Sequence, residues 1–123
     1  MTRTELAQAI KAAAYLEGDF VLSSGKRSSY YLDKWRFETE PRLLREIARA
    51  MAELLPSPRP DRIAGVELGG VPLATALSLE TGIPSLIVRR QAKEYGTARG
   101  IEGVMNQGET AVLVEDVLTT AGQ

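Results

Sequence analysis

A chain of 123 residues has room for one sizeable hydrophobic core, because folding at this size buries roughly two thirds of the extended surface. Fifteen basic against sixteen acidic residues give a formal net charge of -1, which removes any global electrostatic case for nucleic acid or membrane and requires an anion site to be local. Cysteine and histidine are both absent, so disulfides, thiolate- or histidine-ligated zinc and a Ser-His-Asp triad are excluded, and chemistry must rest on carboxylates, Lys, Arg, hydroxyls and backbone.

The first residues lack the apolar core of a signal peptide and no later run approaches a bilayer span, so a cytoplasmic location is expected. Thr2-Arg3-Thr4-Glu5 has the spacing of a capping box, and Leu6, Ile10, Ala13 and Ala14 then fall on one helical face, with Gly18 as the expected stop. Residues 20–33 read as two short strands joined by the turn Ser24-Gly25-Lys26-Arg27-Ser28, with Tyr30-Tyr31-Leu32 on the second. Pro41 suits the first turn of a helix, with Thr39 and Glu40 as caps, and Leu44, Ile47, Ala48, Met51, Leu54 and Leu55 continue it at helical spacing. Pro56-Ser57-Pro58-Arg59-Pro60 ends that helix in a stiff connection inside one domain.

Ile63-Ala64-Gly65-Val66 is the next expected strand, followed by Glu67-Leu68-Gly69-Gly70 and a helix from Val71-Pro72 to Gly82. Strand, glycine-rich turn and helix N-terminus in this order make an anion site, because unpaired N–H groups and the positive end of the helix dipole face the ligand. Gly65 and Gly70 have the spacing of a Walker A loop, but Val71-Pro72 stands where Lys-Ser/Thr is required, and Gly-x-Gly-x-x-Gly is missing. The plain alternative is a βα connection whose glycines serve close packing. Pro84-Ser85-Leu86-Ile87-Val88 reads as another buried strand ending at Arg89-Arg90. Residues 91–104 lack either apolar period and read as a long mobile loop. From Arg89 to Val104 four basic residues stand against two acidic ones, a local excess of +2.

The last stretch, residues 111–123, opens with the apolar run Ala111-Val112-Leu113-Val114, which reads as a strand buried on both faces at the centre of a parallel sheet. Glu115 and Asp116 follow, then Val117-Leu118 and the turn Thr119-Thr120-Ala121-Gly122-Gln123. Carboxylates at a strand's C-terminal edge accept hydrogen bonds from a sugar diol, and a turn rich in N–H groups and hydroxyls suits a phosphate. Together they suggest a phosphorylated ribose.

Apolar strand, acidic pair and Thr-Thr-x-Gly resemble the phosphoribosyl-diphosphate (PRPP) signature of the type I phosphoribosyltransferases. With Val88-Arg89-Arg90-Gln91-Ala92-Lys93-Glu94-Tyr95-Gly96-Thr97 upstream, the sequence looks specifically like the orotate phosphoribosyltransferases. The resemblance runs from about Gly18 to Gln123. It implies an α/β fold, a doubly wound parallel sheet with helices on both faces, incomplete at the C-terminus, with a small N-terminal helix and hairpin hood. As a domain that is 1–123, with the hood at about 1–35 and the core at about 36–123. The implied reaction is displacement of diphosphate from C1 of PRPP by orotate to give orotidine 5′-monophosphate, in pyrimidine biosynthesis, with Mg²⁺ carried mainly by PRPP rather than by protein ligands.

The resemblance also implies roles residue by residue. Lys93, Glu115 and Asp116 are the catalytic set. Arg89, Arg90, Lys93 and Tyr95 belong to PRPP, with the basic ones on its diphosphate, and Glu67, Leu68, Gly69 and Gly70 form the pyrophosphate loop, with a non-proline cis peptide expected at Leu68-Gly69. Glu115 and Asp116 take the ribose hydroxyls, and Val117, Leu118, Thr119, Thr120, Ala121, Gly122 and Gln123 continue the PRPP site around the 5′-phosphate. Thr119, Tyr31 and Leu32 lie at orotate. Ser23 stands where many bacterial relatives carry lysine, so that contact does not transfer, and Tyr95 replaces a common histidine, which removes a histidine proton role. The family enzymes are homodimers that share the basic loop between active sites. The chain stops where the phosphate turn should feed a helix, so a truncated form, weakly active or inactive alone and exposing a sheet edge, is expected. Two other readings stay open: a phosphoribosyltransferase for another base, against which the Lys93-Glu94-Tyr95-Gly96 loop weighs, and a PRPP-binding regulatory protein, which would need a nucleic-acid surface that the charge does not suggest.

Overall fold

The computed structural model describes residues 1–91, 94, 96 and 100–118. By its internal packing the chain divides into two compact units, Met1–Glu46 and Ile47–Gln123. The first opens with helix α1 (Arg3–Ala14), started by the capping box the sequence announces. The Glu5 N–H donates to the Thr2 hydroxyl and the Thr2 N–H donates to the Glu5 carboxylate, both at 3.1 Å.

Helix α1 ends at Ala14 rather than at Gly18, and strand β1 (Tyr15–Val21) begins at once. The reason is cross-strand pairing: Tyr15 and Leu16 lie opposite Leu32 and Tyr31 of the antiparallel strand β2 (Arg27–Leu32), and the Tyr15 ring stacks on Tyr30 at 5.8 Å. Such aromatic pairs stabilise the extended state more than one further helical turn would. Gly18 sits instead in the irregularity of register between Glu17 and Phe20. A short helix α2 (Trp35–Glu38) follows, unheralded by any periodicity, with the Asp33 carboxylate accepting the Trp35 N–H at 3.2 Å. The Glu40 carboxylate accepts the Leu43 N–H at 3.0 Å ahead of helix α3 (Pro41–Ala52), which crosses the boundary between the units. Leu6, Ala14, Glu38 and Leu43 are the buried residues of the first unit.

The second unit is a four-stranded sheet of β3 (Arg62–Val66), β4 (Ser85–Val88), β5 (Ile101–Glu102) and β6 (Ala111–Val114), with helix α4 (Gly70–Thr81) connecting β3 to β4. The strand order is β5-β4-β3-β6. Strands β4 and β6 flank β3 in parallel, and β5 is antiparallel to β4. Helix α4 lies close on this sheet because Gly65 has no side chain: a Cβ there would stand 2.6 Å from the Gly70 carbonyl oxygen and 2.7 Å from the Ala74 Cβ. At its other end Gly82, at φ 77°, donates its N–H to the Ser78 carbonyl, the left-handed cap that glycine adopts without steric cost. Ile63 and Ala64 point to opposite faces of β3 and both are buried, so the sheet centre is covered on both sides.

Three expectations are corrected here. Strand β6 is not buried on both faces: Leu113 is 67% exposed, because among the described residues β6 is the outer strand and only its Val114 side is covered by α4 and the loop before it. Ile87 of β4 is likewise 39% exposed. The stretch 91–104 is not all loop, since Ile101 and Glu102 pair with Val88 and Ile87 as β5; two paired residues are too few for a period of two to show in the sequence. Ser57-Pro58 is a cis peptide in the proline-rich connection. Among the described residues no helix is long and apolar enough to cross a membrane.

Candidate active site

Parallel strands end their C-termini together, and the crevice beyond them is where open α/β sheets place ligands. Here the ends of β3, β4 and β6 bring Glu67, Arg90 and Glu115 to one edge. The loop after β3 turns through a non-proline cis peptide at Glu67-Leu68, one bond earlier than expected. Gly69 has helical dihedrals, φ -67° and ψ -25°, as the cap of α4.

Both glycines of that loop are used for close approach to β6 and its extension. A Cβ on Gly69 would collide with the Asp116 carboxylate, and one on Gly70 with the Val114 carbonyl oxygen. Packing and site formation are therefore one feature: the glycines that let the loop approach also seat Asp116 against it. The Asp116 N–H donates to the preceding Glu115 carboxylate at 3.1 Å, which holds the two acids in a fixed relation.

Arg90 joins the three strand ends. Its backbone N–H donates to Glu67 Oε1 at 2.9 Å, its Nε–H donates to the Glu67 carbonyl at 2.9 Å, and its Nη2 lies 3.4 Å from Glu115 Oε2. The Glu67 N–H in turn donates to the Val88 carbonyl at 2.9 Å. A guanidinium held this way next to two carboxylates at the C-terminal edge of a sheet provides cation and acceptors together, the pairing a sugar diphosphate requires.

Arg89 takes a different partner. Its Nε–H donates to Glu102 at 2.9 Å and its backbone N–H to the Gly100 carbonyl at 2.7 Å, so it ties β4 to the returning β5. Sequence reading placed Glu67 in the pyrophosphate loop but missed its pairing with Arg90, and it took Glu102 for a loop charge; the only available signal was that each acid stands near the double arginine's strand. Val117 and Leu118 are 47% and 70% exposed, as is Leu68 at 68%. Tyr31 and Leu32 lie on β2 of the first unit, and the Tyr31 ring packs 5.6 Å from Phe20 beside a pocket that Val21, Leu22, Ser23 and Ser24 also line. Lys93, Tyr95, Thr119, Thr120, Ala121, Gly122 and Gln123 lie outside the described residues. Among the described residues no three acidic side chains gather to hold a metal ion.

No protein-family model matches the chain. Curated relatives do. An orotate phosphoribosyltransferase of Halobacterium salinarum is 50% identical over 117 residues, covering 94% of this chain and 66% of its own length. Another, of Methanocella arvoryzae, is 46% identical over 119 residues, covering 96% of this chain and 67% of its own. Among solved structures, Mycobacterium tuberculosis orotate phosphoribosyltransferase in complex with PRPP superposes with a TM-score of 0.72 at 31% identity, over 93% of this chain and 64% of that one. The chain thus spans about two thirds of the length of the curated relatives it matches. Similarity at this level over nearly all of the chain, in sequence and in fold, means that it belongs to the orotate phosphoribosyltransferase family.

Proposed function

We propose that the protein transfers the 5-phosphoribosyl group of PRPP to orotate, forming orotidine 5′-monophosphate and diphosphate in pyrimidine biosynthesis, as a cytoplasmic homodimer. The observation that carries this reading is the meeting of Glu67, Arg90, Glu115 and Asp116 at the C-terminal strand edge, around a glycine loop that opens a helix. The complex of a relative with PRPP supports it.

In the reaction, a bond forms between C1 of the ribose and a ring nitrogen of orotate while the bond from C1 to the diphosphate oxygen breaks, its electron pair leaving with diphosphate. Positive charge develops on the ribose and negative charge on the leaving group, so the protein's task is electrostatic. Arg90 meets the diphosphate, joined by Arg89 when it exchanges Glu102 for the ligand, and by Lys93. Glu115 and Asp116 accept from the ribose hydroxyls and face the developing cation. Thr119 to Gln123 take the 5′-phosphate, Thr119 also meets orotate, and Tyr31 and Leu32 flank the base. Tyr95 also binds PRPP, and closure of the basic loop would exclude water, which would otherwise attack C1. Mg²⁺, carried mainly by PRPP, would neutralise part of the diphosphate charge.

The test is loss of PRPP in the presence of Mg²⁺ and the full chain, with orotate, uracil or hypoxanthine as acceptor. Turnover with orotate alone is expected. Turnover with hypoxanthine instead would overturn the reading in favour of another base specificity; PRPP binding without turnover by any base would favour a regulatory protein or the weak activity expected of a chain that spans about two thirds of its relatives' length.

A further inference from the structure

A carboxylate is an unexpected neighbour for a diphosphate, yet the loop after β3 begins with one. Glu67 does not face an empty cradle: it is stitched to Arg90 twice, through its side-chain Oε1 to the Arg90 backbone N–H and through its carbonyl to the Arg90 Nε–H, each at 2.9 Å. Its own N–H is held by the Val88 carbonyl at 2.9 Å. The Glu67 carboxylate thereby fixes the backbone of Arg90 and the Glu67 carbonyl its guanidinium plane, so the side chain acts on that plane by keeping the two backbones in register. With Nε committed, the Nη edge is what Arg90 has left for a ligand, and that edge points to Glu115 across a 3.4 Å gap while the side chain stays 53% exposed. A contact that long and that exposed is the one a diphosphate oxygen can displace, whereas the two shorter bonds to Glu67 persist.

We infer that Glu67 is a positioning residue for diphosphate recognition, acting through Arg90 and not by touching the ligand. The inference rests on the functional reading above. An unrestrained arginine samples many rotamers, and holding its plane in advance leaves less freedom to be lost when PRPP binds.

The experiment compares Glu67→Ala, Glu67→Gln, Arg90→Ala and the double variant Glu67→Ala/Arg90→Ala in the full chain, reading KM for PRPP, KM for orotate, kcat, and the Kd of inorganic diphosphate with Mg²⁺ by calorimetry. Glu67→Ala should raise KM for PRPP and the diphosphate Kd about tenfold, the scale of one lost charge-assisted hydrogen bond, with KM for orotate unchanged. Glu67→Gln, whose amide oxygen still accepts the Arg90 N–H, should return both to within about threefold of wild type on the same scale. In the Arg90→Ala background the Glu67 substitution should add nothing. Additive effects, no effect of Glu67→Ala on the diphosphate Kd, or equal damage from Gln and Ala would overturn the inference. Absence of orotate-dependent turnover in the wild type, with the diphosphate pattern intact, sinks the functional reading and leaves Glu67's role standing.

Discussion

The space a side chain would need at Gly69 is filled by the Asp116 carboxylate. Gly69→Ala therefore has to push an acid of the candidate ribose site out of place, and overpacking of this kind costs about 1–3 kcal/mol. Weakened PRPP binding together with a lowered urea midpoint is the expected result. Gly82→Ala is the matched control: no atom lies within 4 Å of the added methyl, but the residue sits at φ 77°, so it should lose about 1 kcal/mol through backbone conformation alone and bind PRPP as the wild type does. Calorimetric titration of both variants checks this, and equal binding losses would contradict it. At this scale the sequence was half legible. A glycine-rich turn before a helix can be read from Leu68-Gly69-Gly70, but not which distant carboxylate the missing side chain accommodates, because that pairing exists only once β6 lies beside β3. For the same reason the acid in Glu67 was legible and its arginine partner was not.

Among the elements, those with local causes were read well and those with distant ones were not. The start of α1 is set by four adjacent residues, so Thr2 and Glu5 announced it; its end is set by pairing with Leu32 and Tyr31 across the hairpin, which no local pattern records. The cap makes a pH prediction. Glu5 is held below the ordinary 4.5, first by the hydrogen bond from the Thr2 backbone N–H and then by the Thr2 hydroxyl. A depressed carboxyl contributes its stabilisation fully above the unfolded value and loses it as the pH falls through the folded one. Amide protection factors in the first turn of α1, taken relative to the intrinsic exchange rate, should therefore fall on acidification below 4.5, and Glu5→Gln should remove that loss while leaving an acceptor for the Thr2 N–H. Thr2→Ala should cost about 0.5–2 kcal/mol at every pH. Protection factors that do not respond to acid in the wild type would refute the cap's role.

On the scale of the molecule, the fold class followed from alternating strand and helix patterns and the family from two motifs, but the distribution of burial across the sheet did not. Leu86 and Leu113 both stand in short apolar runs and both read as core. In register they are also alike, since each lies beside Ala64 of β3, Leu86 on the β4 side and Leu113 on the β6 side. Their surroundings separate them: Leu86 is 2% exposed and Leu113 67%, because the row that is covered at β4 is open at β6, the outer strand among the described residues. Truncating a buried leucine removes its transfer free energy and leaves a cavity, about 2–5 kcal/mol, whereas truncating an exposed one falls within about 0.5 kcal/mol. In a polypeptide of these 123 residues, Leu86→Ala should lower the unfolding free energy by the first amount and Leu113→Ala by the second, read as a lowered urea midpoint with unchanged m-values. Similar losses from both would mean that the open side of β6 is covered in solution, and sedimentation velocity would then distinguish a second copy of the chain from a rearranged monomer.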